Sequence, residues 1–233
     1  LLAVFTYFPL FSALTHFANP ALEQARERSP VVVIADNATC SFQFNPVGTA
    51  AFTTPCDVAK SALAKRGIPY GNAALPAGEE ARVAVGETAI PSFDAGMDAD
   101  GSRRAAFEAT LTQALADAGY PAAADPDAIN YPMVVAILFI LVLYVTMVYG
   151  PIAAMLVELF PTRIRYTSMS LPYHIGNGWF GGFLPTVSFA IVAATGDIYS
   201  GLWYPVIVAA MTFVVGLIFV PETKDRELHP EGS

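Results

Sequence analysis

Four stretches of this chain run long and apolar without a single Asp, Glu, Lys or Arg: residues 1–17, 133–157, 168–194 and 202–220. Runs of this length predict helices that cross a hydrocarbon core about 30 Å thick. The first is a little short for that, and Asn19 with Pro20 stops it. It lacks the positively charged start of a signal peptide, so it reads as the end of a spanning helix that begins upstream of Leu1. The whole chain then reads as the C-terminal piece of a longer protein.

Between the first two runs the pattern changes. Across residues 21–131 short apolar runs alternate with Pro, Gly and charged positions, the texture of a small globular unit of about 110 residues. VVVIAD at 31–36 and SFQF at 41–44 predict strands, and ARVAV at 81–85 a weaker one. A helix is expected at 57–67, with Asp57 as N-cap and Gly67 as its stop. A second is expected at 101–120, where Phe107, Leu111, Ala114 and Leu115 recur at helical spacing before Gly119. Residues 70–101 read as loop with a strand or two, so the unit is expected to be a small α+β insert.

The expected organisation is therefore the end of a transmembrane helix at 1–18, the α+β insert at 19–131, transmembrane helices at 132–159, 168–194 and 202–220, connecting loops at 160–167 and 195–201, and a tail at 221–233. Composition agrees with a chain that is mostly membrane. It is 55% hydrophobic and only 14% charged, with a mean hydropathy of +0.49. Of the 20 acids and 12 bases, 14 and 8 fall between Glu23 and Asp127. The formal charge of −8 lies mainly there, and no Lys/Arg stripe is present to follow phosphates, which argues against a nucleic-acid partner.

Outside the insert the bases occupy two places, Arg163 with Arg165, and Lys224 with Arg226. One helix pair separates them, so both lie on the same side, which the positive-inside rule makes cytoplasmic. By parity the insert is extracytoplasmic and the C-terminus cytoplasmic. An oxidising compartment makes a disulfide between Cys40 and Cys56 the natural reading. Closing that loop would stabilise the unit by about 3 kcal/mol in the chain-entropy model. The alternatives are two reduced thiols or, less readily, a metal pair. The insert has no histidine, which argues against a His-based hydrolase or zinc site. Asp94, Asp98 and Asp100 lack the full spacing of a calcium loop and read as solvated. No metal, cofactor or enzymatic activity is expected.

The membrane runs carry their own chemistry. His174 is the one ionisable side chain well inside an apolar run, and a histidine can exchange a proton near neutral pH; a neutral histidine bonded to a neighbouring helix is the other reading. Asn177 needs an interhelical or substrate partner. Gly176, Gly178, Gly181 and Gly182 permit close packing and bending. Trp179, Tyr144 and Tyr149 are candidates to line a cavity or to fill a core. Gly150 and Pro151 predict a hinge in the second run.

ELFPTRIRY, with Glu158, Pro161, Arg165 and the additional Arg163, resembles the helix-end motif of the major facilitator superfamily. PETKDRE from Pro221 resembles the sequence that follows the last helix of many members. LPYHIGNGWFGGFLPT, at 171–186, is most similar to the metabolite:proton symporters, carriers of proline/betaine, citrate, shikimate and α-ketoglutarate. The resemblance implies an all-α transmembrane bundle, the last four of twelve helices, in the inner membrane of a bacterium. It implies a charge latch at Glu158, Pro161, Arg163 and Arg165, and a proton or solute pathway near His174, Asn177, Trp179, Tyr144 and Tyr149. It further implies a small organic solute and a proton as ligands, and the lipid bilayer and the missing N-terminal helices as partners. The insert between the ninth and tenth helices departs from the usual short loop. The competing reading is a membrane-anchored extracytoplasmic binding or sensory module, in which the insert does the work.

Overall fold

The computed structural model describes residues 1–76, 79–161, 163–220 and 222; the expected tail at 221–233 lies, apart from Glu222, outside the described residues. Helix α1 (Leu2–Ala18) ends at Asn19, and Pro20 then opens a further short helix, α2 (Pro20–Arg28). Proline suits that first position because its missing N–H would have no intrahelical partner there. The sequence reading had Asn19 and Pro20 only as a stop and did not foresee α2, whose Ala25 is buried against the sheet described next.

Four short strands follow: β1 (Val31–Ala35), β2 (Gly71–Ala74), β3 (Arg82–Val85) and β4 (Thr88–Pro91), in the order β2-β1-β3-β4. β1 pairs parallel with β2 and antiparallel with β3, and β3 pairs antiparallel with β4. The parallel pair needs a crossover, which α3 (Pro55–Lys65) supplies. Alternate residues Val31, Val33 and Ala35 are buried. They form one core with Val83, Val85 and Ile90, with Ala59 and Leu63 of α3, and with Phe107, Leu111 and Leu115 of α4 (Ser102–Asp117).

Two local expectations are corrected. SFQF is not a strand: Ser41 gives its N–H to the Asp57 carboxylate at 2.7 Å and the Gln43 side chain donates to the Asp57 carbonyl at 2.9 Å. These bonds draw the segment onto the start of α3 instead of into a ladder. Asp57 is not the N-cap either. Thr54 is, its hydroxyl accepting from the Asp57 N–H at 3.1 Å, with Pro55 at the first helical position. Gly67 and Gly119 follow their helices with φ of +65° and +83°, the left-handed stop that glycine permits.

The remaining elements are apolar helices: α5 (Tyr131–Leu159), α6 (Arg165–Ile175), a π-helical segment (Gly176–Gly181), α7 (Leu184–Thr195) and α8 (Trp203–Phe219). Spans of 29, 31 and 20 residues, the second comprising α6 to α7, are long and apolar enough to cross a membrane, and α1 is a shorter apolar helix. The run at 168–194 was expected as one transmembrane helix whose glycines permit bending. It is composite, because Pro172 and four glycines favour a switch of hydrogen-bond register, and the Gly182 N–H reaches the Asn177 carbonyl at 3.0 Å. α1 packs on α5 and α8, and α7 on α8. Leu138, Phe139, Val142 and Val145 of α5 are exposed in the chain alone, as a lipid-facing surface is.

The sheet-bearing segment is docked on the C-terminal end of α7. Tyr70 donates its hydroxyl to the Ala193 carbonyl (2.6 Å) and its N–H to that of Gly196 (2.9 Å). Asn72 donates to Thr195 (2.9 Å), and the Lys60 ammonium lies 3.5 Å from the Ala194 carbonyl.

Candidate functional site

α5 and α6 meet at the charged turn and diverge to form a cleft of about 630 Å³ lined by Leu156, Val157, Arg165, Tyr166, Met169, Ser170, Tyr173 and His174. The lining follows from helical spacing. Arg165, Met169 and Tyr173 form one row at four-residue intervals, and Tyr166, Ser170 and His174 form the adjacent row. Both rows face Leu156 and Val157 near the end of α5. The cleft therefore has apolar walls, one permanent cation and one imidazole. Arg165 and His174 are nine positions apart, about 13 Å along the axis and half a turn around it.

Arg165 opens α6, the end of a helix where a cation is least favoured. Its Nε donates to the Phe160 carbonyl at 3.2 Å, tying the start of α6 to the C-cap of α5. Glu158 is half-buried in the last turn of α5, and Pro161 and Arg163 lie exposed in the turn. The His174 ring stands edge-on to Tyr173, with centroids 6.0 Å apart.

The other sequence candidates do not join this cleft. Asn177 donates to the Tyr173 carbonyl one turn back, at 3.1 Å. The Tyr144 hydroxyl accepts from Thr6 of α1 at 3.2 Å, making it a contact between helices. Tyr149 is exposed on α5, and Trp179 is exposed, with its ring 6.2 Å from that of Phe183. Pro151 lies inside α5 after Gly150, where its missing N–H leaves the carbonyl four residues back without its helical donor. Gly182 is required by packing, since a Cβ there would run into the Gly178 carbonyl.

Sequence reasoning missed Tyr70, Asn72 and Lys60, which grip α7; nothing in GIPYGN announces a partner so distant along the chain. Burial has electrostatic consequences there. Desolvation lowers the Lys60 pKa from its ordinary value, opposed by the charge of Asp57 on the same helix, and burial raises that of the Tyr70 hydroxyl. The acidic loop is tied to the helix that follows it. Asp98 accepts the N–H groups of Arg103 and Arg104, and Asp100 that of Ser102, so these carboxylates cap α4. The bonds from Ser102 hold the Asp100 carboxyl below its usual range.

Residues 105–230, more than half of the chain, match the family described as Sugar (and other) transporter. The chain belongs to that family. By that membership, and with three spans long and apolar enough to cross a bilayer, it is an integral membrane chain of the major facilitator type. Over 102 residues (43% of the chain, 23% of the relative) it is 32% identical to a citrate-proton symporter of Klebsiella pneumoniae. Over 79 residues (34% and 15%) it is 32% identical to the glycine betaine/proline/ectoine/pipecolic acid transporter OusA of Dickeya dadantii. A metabolite transport protein of Haemophilus influenzae is 40% identical over 94 residues (39% and 20%). The matches span about a fifth of the length of these curated relatives. No solved structure matches the chain.

Proposed function

We propose that the chain supplies the closing helices of a secondary active transporter that couples movement of a small organic solute, of carboxylate, amino-acid or betaine type, to a proton by alternating access. The observation that carries this reading is the cleft between α5 and α6, where Arg165 and His174 face one apolar space. Arg165 is a permanent cation suited to a carboxylate, and His174 brings an imidazole, the side-chain type most used to relay protons. The names of the Klebsiella and Dickeya relatives support the solute class.

In this reading α5 and α6 belong to one half of a pseudo-symmetric carrier whose site forms between halves. Glu158, Pro161, Arg163 and Arg165 latch one conformation at the cytoplasmic edge. Gly150 with Pro151, and the π-helical segment, are the points at which the spans bend. The sheet-bearing segment is an extracytoplasmic α+β insert resting on the outer end of α7.

The test uses the complete protein in proteoliposomes, with labelled citrate and glycine betaine and an imposed pH gradient. Gradient-driven uptake of one of them is expected, and its absence for both overturns the reading. His174→Gln is expected to abolish gradient-driven uptake while sparing solute counterflow. Unchanged uptake removes His174 from the proton path.

A further inference from the structure

Cys40 and Cys56 are joined in a disulfide between the loop after β1 and the first turn of α3. The two sulfurs sit in unlike surroundings. Cys56 is fully buried at the second position of an 11-residue helix, whereas Cys40 is only partly buried among exposed neighbours at 36–39 and 41–42. The residue after Cys56 is Asp57, 1% exposed, and its Oδ1 accepts the N–H of Ser41, the residue after Cys40. A buried carboxylate thus clasps the two cysteine segments together. Its other oxygen, Oδ2, is buried without a hydrogen-bond partner among the described residues. Such an oxygen is costly to keep in a unit whose only need is a staple.

We propose that Cys40–Cys56 is a thiol-exchanging redox centre that accepts two electrons from small external thiols. The asymmetry sets the direction of attack. The incoming thiolate attacks the sulfur of Cys40, the less buried of the two residues, and forms a mixed disulfide there, the Cys40–Cys56 bond breaks, and its electron pair leaves on Cys56. The N-terminus of α3 favours a negative charge on Cys56, against the burial and the neighbouring Asp57 carboxylate that oppose it, and so lets its sulfur leave as a thiolate. A second thiolate attacks the external sulfur of the mixed disulfide, releasing Cys40 as thiolate and the small thiol as its own disulfide. The two protons lost by the external thiols on ionising are regained, through water, by the two cysteines. The product has acceptors in place for its S–H groups. The Asp36 carbonyl is 3.4 Å from the Cys40 sulfur, and Asp57, the residue after Cys56, keeps one carboxylate oxygen without a hydrogen-bond partner among the described residues. The inference does not depend on the transport reading.

The test exposes the full chain in detergent to glutathione, quenches with acid, and counts free thiols by the gel shift of a maleimide adduct, with and without enough urea to unfold the sheet-bearing segment. Reduction about ten-fold faster in the folded chain than in the unfolded one is expected. A folded disulfide that reacts more slowly than the unfolded one is a protected staple, and that result overturns the proposal. Mass spectrometry of the trapped intermediate supplies an independent readout: glutathione is expected on Cys40, and its location on Cys56 sinks the mechanism.

Discussion

The hydroxyl of Tyr70 donates a 2.6 Å hydrogen bond to the main-chain carbonyl of Ala193, in the last turn of a helix more than a hundred residues further along the chain. The final carbonyls of a helix have no donors of their own. Here Tyr70, Lys60 and Asn72 approach those of Ala193, Ala194 and Thr195 in succession, and Lys60 brings a cation to the negative end of the helix dipole.

Tyr70→Phe keeps the ring and deletes the donor, leaving a buried carbonyl without its partner. A loss of about 1–3 kcal/mol at the contact is expected. It is measurable as faster hydrogen exchange of the Tyr70 amide, which bonds to Gly196, with little change for amides of β1 and β3.

The same hydroxyl gives the contact a pH dependence. Burial raises its folded pKa above the ordinary value near 10, so the folded state holds this proton more tightly than the unfolded one. The stabilisation is full below pH 10 and is lost as pH rises through the higher folded value. Absorbance near 295 nm in an alkaline titration should show a late-ionising tyrosine that Tyr70→Phe removes.

Gly196→Ala strains the backbone, because φ is +80°, and drives a Cβ into the Tyr70 carbonyl. Gly101→Ala has the same backbone problem at φ +72° but meets nothing within 4 Å. The second change is expected to cost about 1–2 kcal/mol, and the first measurably more in thermal unfolding. Equal effects would mean that α7 and the sheet-bearing segment do not press together there.

Leu111 is fully buried between α4 and the sheet. Leu111→Ala is expected to lower the stability of the sheet-bearing segment by about 2–5 kcal/mol. Urea titration followed by far-ultraviolet circular dichroism measures it, with the apolar helices retained past the first transition.

Long apolar runs were easy to read, because a 29-residue helix such as α5 repeats its signal at every turn. Phe107, Leu111 and Leu115 declared α4 in the same way. Short elements carried too little signal: GNAA at β2 has no apolar alternation, yet β1 recruits it through parallel pairing. SFQF alternates properly and is still no strand, because the Asp57 carboxylate takes the Ser41 N–H. Within the cleft, Arg165 and His174 were visible as charged or ionisable exceptions in apolar surroundings. Their shared space depended on how α5 and α6 diverge, and the grip on α7 depended on contacts across the whole chain; neither is local information.

The N–H of Asn130 bonds to the carbonyl of Phe17 at 2.9 Å, just where α1 and α5 lie side by side. Everything between them therefore departs and returns through a single seam. A short turn spliced across that seam would rejoin α1 to α5 directly, and the main-chain carbonyls of Ala193 and Thr195 would then lose the donors that the segment now brings to them.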